Sequence, residues 1–294
     1  PEPFSAGICV AIKTDDVPIG TLWLFRDQVA EFGEAESAVA RLVATNLSLL
    51  LRQSSQTEIS SGAGPDKPIQ DLSQWQYESL PAGSTLAQGW RVDGMIESSE
   101  AWATGWHHWD VLPDGTLMLA IAEATDPSAK GAMHAAIARA AMASHAGYRH
   151  TPLQLIQKVS DTLWQTSTGE QLVSLVYAHV DPETGDGVVA SAGSIGALVS
   201  SRYGYRPLVD GNSDPLNTRM DTNASSDEFH LLRGETLLAY SKGFAMAGAD
   251  QMALGGHIRT AMQLEDRSPL AMLRRKLVDL PLGQERGALT LLRS

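Results

Sequence analysis

Short apolar segments separated by turn residues fill residues 88–293, and no other feature of the sequence restricts the fold as strongly. The clearest pair is LVSLVYAHVD followed by PETGDG and then VVASAG, which predicts a hairpin with a glycine-containing loop. Because most links between segments are short, we expect neighbouring strands to run antiparallel. The predicted strands cover residues 88–96, 107–112, 115–122, 171–180, 187–192, 195–202, 227–232, 235–241 and 287–293.

Helical segments are grouped in the middle and near the end of the chain. Residues 128–147 contain the alanine-rich run AAIARAAMA, and residues 151–166 begin with Thr151 and Pro152, which suit a helix cap and a first turn. A third helix is predicted over residues 268–279, from SPLAMLRRKLVD. Many antiparallel strands with grouped helices predict an α+β layered sandwich.

A smaller β-β-α segment precedes this region. Residues 7–13 and 18–26 are predicted strands joined by the turn TDDVP, and residues 34–53 carry a helical stripe of valines and leucines. Two strands and one helix bury little surface alone, so the stripe is explained either by core packing or by a helix that forms a dimer. Residues 54–72 are polar and rich in Ser, Gly and Pro, which predicts a linker. Residues 73–294 are expected to form one domain.

Charge and cysteine content restrict the partners and the compartment. The formal net charge of −12 argues against nucleic acid as the main partner, because phosphate binding needs clustered Lys and Arg. Cys9 is the only cysteine, which excludes an internal disulfide and favours a cytoplasmic location. Apolar runs stay shorter than the roughly 18 residues of a membrane span. The sequence opens PEPFSAGICV, without an initiator Met or a signal peptide, and we expect a piece of a longer protein.

Six segments of the C-terminal region occur in an order that is similar to one known family. They are QYESLPAGSTLAQGWRVDGMIESSEAWATGWHHWDV, GTLMLAIAEATD with KGAMHAA, TPLQLIQKVSDTL, SLVYAHVDPETGDGVVASAGSIGALV, GETLLAYSKGFAMA and GALTLLRS. Together they resemble the stage II sporulation protein E type of metal-dependent protein phosphatase, within the PPM family, over about residues 74–294. The resemblance implies a four-layer αββα sandwich of two antiparallel sheets with helices on both outer faces.

The N-terminal segment resembles a second family. PIGTLWLFRD followed by an amphipathic helix is similar to the last two strands and final helix of a GAF sensory domain. Residues 1–53 are therefore predicted to be the C-terminal part of a GAF-like domain. The resemblance implies sensory input, and the helix then serves as a signalling and dimer helix, so we expect a homodimer.

The phosphatase resemblance also implies where metal ligands should lie. The family uses two Mn²⁺ or Mg²⁺ ions, held mostly by Asp carboxylates, to activate a water and bind the phosphoryl oxygens. Matching the motifs places His107, Glu123 and Lys242 at three of these positions. The final Asp-Asp pair falls on Arg286 and Gly287, although a shift of one position would bring in Glu285. Ser194 replaces the His of the family's Ala-Gly-His motif.

Only Glu123 keeps a carboxylate in this set, and Lys242 introduces a positive charge. Two unit charges about 4 Å apart repel by roughly 4 kcal/mol at an effective dielectric near 20. We therefore expect no metal cofactor, with His107 and Glu123 as the weak candidates for any ligand, and no confident catalytic residue. Lys242 is expected to occupy the metal cavity and to pair with Glu123.

The histidines and tryptophans of ATGWHHWD allow a second explanation. His107 and His108 could form a transition-metal site, but adjacent residues of a strand point to opposite faces, which favours packing or hydrogen-bonding roles. Three tryptophans in and beside this stretch are expected in the core or on the sheet surface: Trp102, Trp106 and Trp109.

Three functions remain open from the sequence. The first is a pseudophosphatase that regulates a protein partner, such as an anti-sigma-factor antagonist or another phosphoprotein. The second is an active protein serine/threonine phosphatase with an altered Mn²⁺ or Mg²⁺ site. The third is an architectural domain that dimerises a larger receptor.

Overall fold

The computed structural model describes residues 6–14, 17–26, 32–34, 36–41, 43–45, 47, 66–166, 172–246, 251–263, 269–277 and 285–294. The chain divides into two compact units, Pro1–Ile69 and Gln70–Ser294. Among the described residues, no helix combines the length and the apolar character that crossing a membrane requires.

The first unit contains an antiparallel hairpin and a helical segment. Strands β1 (Ala6–Thr14) and β2 (Val17–Arg26) pair along their whole length, which confirms the two predicted strands. The described residues between 34 and 47 include helical turns, and Ala40 and Ala44 are buried there. The end of the predicted helix, residues 48–53, and the predicted linker as far as residue 65 lie outside the described residues.

The second unit is built on two antiparallel sheets. The six-stranded sheet has the order β10-β9-β12-β13-β4-β3, and the five-stranded sheet has the order β11-β8-β7-β6-β5. The strands are β3 (Ser84–Ala87), β4 (Trp90–Glu97), β5 (Gly105–Val111), β6 (Leu117–Ala124), β7 (Val173–Val180), β8 (Asp186–Ala192), β9 (Gly196–Ser201), β10 (Tyr205–Val209), β11 (Ser225–His230), β12 (Glu235–Tyr240) and β13 (Arg286–Arg293).

Helices cover the outer faces of both sheets. Alternate residues of each strand point to opposite faces, so strands covered on both sides are apolar nearly throughout, as in β6. The helices are α1 (Asp66–Glu78), α2 (Ala129–Ala146), α3 (Pro152–Thr166), α4 (Lys242–Met246), α5 (Gln251–Gln263) and α6 (Pro269–Leu277). Helices α2 and α3 pack on the five-stranded sheet, whereas α5 and α6 pack on the six-stranded sheet. The predicted α+β sandwich is thus confirmed.

The central core lies between the two sheets. Leu117, Leu119 and Ile121 of β6 face Leu289 and Leu291 of β13, and each of these side chains is at most 3% exposed. Burying such side chains stabilises the fold by about 1.5–3 kcal/mol each. This core holds the sheets together along most of their length and leaves one end of the sandwich for polar residues.

Several elements differ from the sequence-based expectation. The polar residues 203–226, which no predicted strand covers, contain β10 and the start of β11. Helix α5 was not predicted, since Gly255 and Gly256 weaken its helical pattern. The structure gives a reason for one of these glycines: a Cβ on Gly255 would lie 2.5 Å from Cγ of Tyr205. Helix α1 begins at Asp66, inside the stretch predicted as a linker.

Candidate functional site

Polar side chains converge where β5 begins, β6 and β12 end, and β13 begins. Gly105 is paired with Glu123, and Glu123 is paired with Ser174 on its other side. Because paired residues share a face of the sheet, the Glu123 side chain continues the inward row of Leu119 and Ile121. The end of the apolar core is therefore occupied by a carboxyl group.

Glu123 sits in surroundings that disfavour its charge. Burial raises the pKa of its carboxyl group to about 8, and the negative charge of Glu285 adds to the rise, while a hydrogen bond with the Ser241 side chain and the charge of Lys242 act in the opposite direction. Within the part of the chain that the structure describes, its buried Oε2 has no hydrogen-bond partner. At neutral pH the protonated form of Glu123 therefore dominates.

The second carboxyl group of the site belongs to Glu285. Its Oε2 accepts a hydrogen bond of 2.6 Å from the backbone N–H of Thr104. Burial raises the pKa of Glu285 to about 7, although hydrogen bonds from Thr104 and Gly105 lower it. Burial and the charge of Glu285 both raise the pKa of Tyr77, on helix α1. Glu285 is thus the acidic residue that the last strand brings toward Glu123.

The predicted positions of the final ligand pair, Arg286 and Gly287, lie in closely packed surroundings. Arg286 is 2% exposed and lies beside Gly243, where a Cβ would come within 3.3 Å of its Cγ. Gly287 donates its N–H to Ser241 Oγ at 2.8 Å. A Cβ at Gly287 would lie 3.0 Å from Cδ1 of Ile96, so a side chain there would require Ile96 to shift slightly. The assignment of the ligand pair to these positions, or to Glu285 by a shift of one position, stays a prediction.

His107 is held by packing. It is 2% exposed, and its ring stacks on Trp109 with 5.1 Å between centroids and an interplanar angle of 1°. A Cβ on Gly94 would lie 2.6 Å from His107 Nδ1, so the ring lies directly against the β4 backbone. Burial lowers the pKa of His107 to about 3, and the positive charge of Arg139 adds to this effect.

The neighbouring aromatic and histidine residues follow the strand alternation. His108 lies on the face opposite to His107, and burial, with the charge of Arg139, lowers its pKa. Trp106 and Trp109 are buried, and Trp102 donates its indole N–H to Pro127 O at 3.0 Å.

Lys242 does not form the predicted pair with Glu123. It is the exposed first residue of α4, and no ion pair joins it to Glu123 among the described residues. Ser241 reaches Glu123 instead, because it continues the inward row of Leu237 and Ala239 at the end of β12. The predicted ion pair is therefore not formed, although the charge of Lys242 still lowers the pKa of Glu123.

The serine that replaces the motif histidine is engaged locally. Ser194 donates its backbone N–H to Ser174 Oγ at 3.1 Å, and the two hydroxyl oxygens are also 3.1 Å apart. Ser174 is paired with Glu123, so a small hydroxyl pair borders the carboxyl groups.

The residues present do not fit a pair of divalent cations. Mn²⁺ and Mg²⁺ need several ionised oxygen ligands. The site offers two carboxyl groups whose pKa values are raised, and Glu285 is already bound to Thr104. Among the described residues, no group of three or more His, Cys, Asp or Glu side chains is arranged to hold a metal ion. The described residues of the site therefore supply fewer ionised oxygen ligands than a pair of these cations needs.

Comparison with known proteins agrees with the fold. The family model described as stage II sporulation protein E (SpoIIE) matches residues 113–285, more than half of the chain. No curated protein sequence matches significantly.

Solved structures with the same fold come from bacterial phosphatases and regulators. The PP2C domain of SiaA from Pseudomonas aeruginosa superposes with a TM-score of 0.64 at 14% identity, covering 78% of this chain and 96% of that one. The RsbU and RsbW domains of a Mycobacterium tuberculosis protein give 0.60 at 15% identity, covering 73% of this chain and 62% of that one. RsbX, solved in complex with magnesium, gives 0.57 at 9% identity, with 72% of this chain and 98% of that one covered.

Proposed function

We propose, from the premise that this chain belongs to the stage II sporulation protein E family, that its phosphatase-fold signalling domain regulates other proteins without two-metal hydrolysis. Residues 73–294 would form this pseudophosphatase domain. Residues 1–53 would be the C-terminal part of a GAF-like sensory domain, joined by the linker 54–72. A signal sensed upstream would then change how the phosphatase-fold domain engages its partner.

The ligand positions carry this proposal. A neutral, stacked imidazole stands at His107, and an exposed ammonium group stands at Lys242. The two carboxyl groups, Glu123 and Glu285, have pKa values near or above neutrality. Because metal binding has to displace protons from its ligands, this set favours protons over divalent cations.

A protein is the partner class that these features favour. Structural neighbours include RsbU and RsbW domains, and a net charge of −12 argues against nucleic acid. We propose an anti-sigma-factor antagonist or another phosphoprotein as the partner. We also propose a cytoplasmic homodimer that forms through the helical segment 34–53, whose apolar stripe then packs against its copy.

Two measurements on the full chain test the proposal. Calorimetric titration with MnCl₂ at neutral pH should give no saturable heat, and p-nitrophenyl phosphate should not be hydrolysed above the rate without protein. Turnover that rises with millimolar Mn²⁺ and is removed by EDTA would overturn the proposal and would support the altered-site phosphatase instead.

A variant with added carboxylates tests whether the site can be made to bind Mn²⁺. The double variant His107→Asp and Lys242→Asp adds a carboxylate at two predicted ligand positions and leaves Glu123 and Glu285 in place. We expect it to bind Mn²⁺ measurably at neutral pH, because each added carboxylate supplies charge and oxygen ligands. The matched control carries asparagine at the same two positions, with nearly the same shapes and no charge. Equal Mn²⁺ binding by the Asp and Asn variants would show that these positions do not form the metal site.

A further inference from the structure

Glu285 connects two parts of the chain that are far apart in sequence. Its Oε2 accepts the 2.6 Å hydrogen bond from Thr104 N, and the two residues are 181 positions apart. Glu285 is 9% exposed and Thr104 is 4% exposed, so water does not compete freely for this contact. The bond ties the chain just before β13 to the chain just before β5, and these strands belong to different sheets.

The backbone around Thr104 depends on side chains for its hydrogen bonds. Gln76 of helix α1 accepts from Ala103 N and donates to Ala103 O, both at 3.1 Å. Thr104 O accepts from Ala124 N at 2.9 Å, while Thr104 N is satisfied by Glu285. Residues 103–104 lie at the edge of the five-stranded sheet, and two side chains take the place of a neighbouring strand there. Removing Glu285 would leave a buried N–H group without this partner.

Two glycines make room for Glu285. A Cβ on Gly105 would lie 2.5 Å from Glu285 Oε1 and 3.0 Å from Ala122 O, so a side chain at residue 105 would force the carboxyl group to shift. A Cβ on Gly243 would lie 2.0 Å from Glu285 O, so the backbone of residue 285 packs directly on the first turn of α4. The position of Glu285 is thus fixed at both its backbone and its carboxyl group.

We propose that Glu285 is a structural clamp that closes this end of the sandwich by binding the main chain at Thr104. Its carboxyl group is used for holding the two sheets together, and a metal ion would have to break this contact to use Oε2. The clamp concerns stability, so its test is separate from any test of phosphatase turnover.

Side chains of different length and charge at position 285 distinguish a structural clamp from a metal ligand. Glu285→Ala should lower Tm by on the order of 5 °C or more, because it orphans the Thr104 N–H. Glu285→Gln keeps an acceptor oxygen at the same distance, so its decrease in Tm should be less than half of that for Glu285→Ala. Glu285→Asp is one methylene shorter, and its decrease in Tm should be nearly as large as that for Glu285→Ala. The matched control is Glu100→Ala, an exposed acidic residue, which should leave Tm within about 1 °C.

A double-mutant cycle tests the contact between Gly105 and the Glu285 carboxyl group, because it changes each residue alone and both together. Gly105→Ala should destabilise the wild-type chain because its Cβ displaces the carboxyl group, and should destabilise Glu285→Ala less. Hydrogen exchange should show a protected Thr104 amide in the wild type and faster exchange in Glu285→Ala. Additive effects of Gly105→Ala and Glu285→Ala, or unchanged exchange at Thr104, would overturn the clamp. Full stability of Glu285→Asp would do the same, since aspartate keeps the charge of a ligand but loses the reach of a clamp.

Discussion

Replacing Glu123 with glutamine should make the protein more stable at high pH. Glutamine has nearly the same shape and carries no charge, so the change isolates the cost of ionising a buried carboxyl group. In the folded chain the pKa of Glu123 is raised to about 8 from an ordinary value of 4.5, first by burial and then by the charge of Glu285. Below about pH 4.5 the group is protonated in both the folded and the unfolded chain, and its protonation then makes no difference to stability.

The sign of the pH dependence follows from the raised pKa. As the pH rises from about 4.5 to about 8, the unfolded chain releases the proton while the folded chain keeps it, so the wild type loses stability over this window. One pKa unit corresponds to about 1.36 kcal/mol, and a rise from 4.5 to about 8 sets a ceiling of about 5 kcal/mol. We expect about 2–4 kcal/mol, because the Glu123 side chain is only partly buried and the effective dielectric is high.

Urea unfolding of the wild type and Glu123→Gln at several values between about pH 5 and about pH 9 measures this difference. The stability advantage of Glu123→Gln over the wild type should grow across this range, and Glu100→Gln should follow the wild type as the control. A pH-independent difference would refute the assignment of a buried, proton-holding carboxyl group. A wild type that instead gains stability with rising pH when Mn²⁺ is added would show that cations hold the ionised form.

Three further substitutions test contacts elsewhere in the second unit. Leu119→Ala, at a position 2% exposed between the sheets, should lower the free energy of unfolding by about 2–5 kcal/mol in urea, and a loss under about 1 kcal/mol would contradict the packing described. Arg293→Ala removes three hydrogen bonds to main-chain carbonyls and should lower Tm. Arg293→Lys should recover little of the lost Tm, because an ammonium group lacks the forked geometry of the guanidinium group. Full recovery of Tm in Arg293→Lys would argue against that geometry. Arg139→Ala removes a positive charge and admits water, so an NMR titration should show a higher pKa for His108, and an unchanged value would speak against this cause.

Sequence reasoning predicted the fold well where strands alternate or run apolar between turns. The hairpin of β7 and β8 was predicted nearly to its ends, since a glycine-containing loop separates two apolar segments. Strand β10 was not predicted, because most of its residues are exposed and carry no apolar alternation, although it pairs with the neighbouring strand β9. Helix α5 was missed for a non-local reason: the glycine that weakens its pattern lies against Tyr205, about fifty positions earlier in the sequence.

The site was predicted less completely than the fold. Motif matching placed Arg286 and Gly287 at the carboxylate positions and brought in Glu285 only through a shift of one position, whereas the hydrogen bond of Glu285 to Thr104, 181 positions away, is not visible in any local pattern. Strand alternation places side chains two positions apart on the same face of a sheet. The same rule identifies Ser241: residues 237, 239 and 241 form one inward row, a pattern visible in LLAYS once β12 is assigned.

The fold and the site chemistry are physically separate in this chain. The two sheets are joined by an apolar core of β6 and β13 side chains, and no member of that core contributes a charge to the carboxyl end of the sandwich. Loss of anionic ligands therefore removes little from the main source of stability, because apolar burial does not depend on metal charge. At that end, Glu285 accepts a hydrogen bond from Thr104 N–H, Ser241 Oγ accepts one from Gly287 N–H, and the ring of His107 stacks on Trp109. A chain can in this way keep the family's architecture while residues at the ligand positions serve packing and hydrogen bonding. Membership of the family therefore predicts the layers of the fold, whereas the reaction has to be predicted from the residues at the ligand positions.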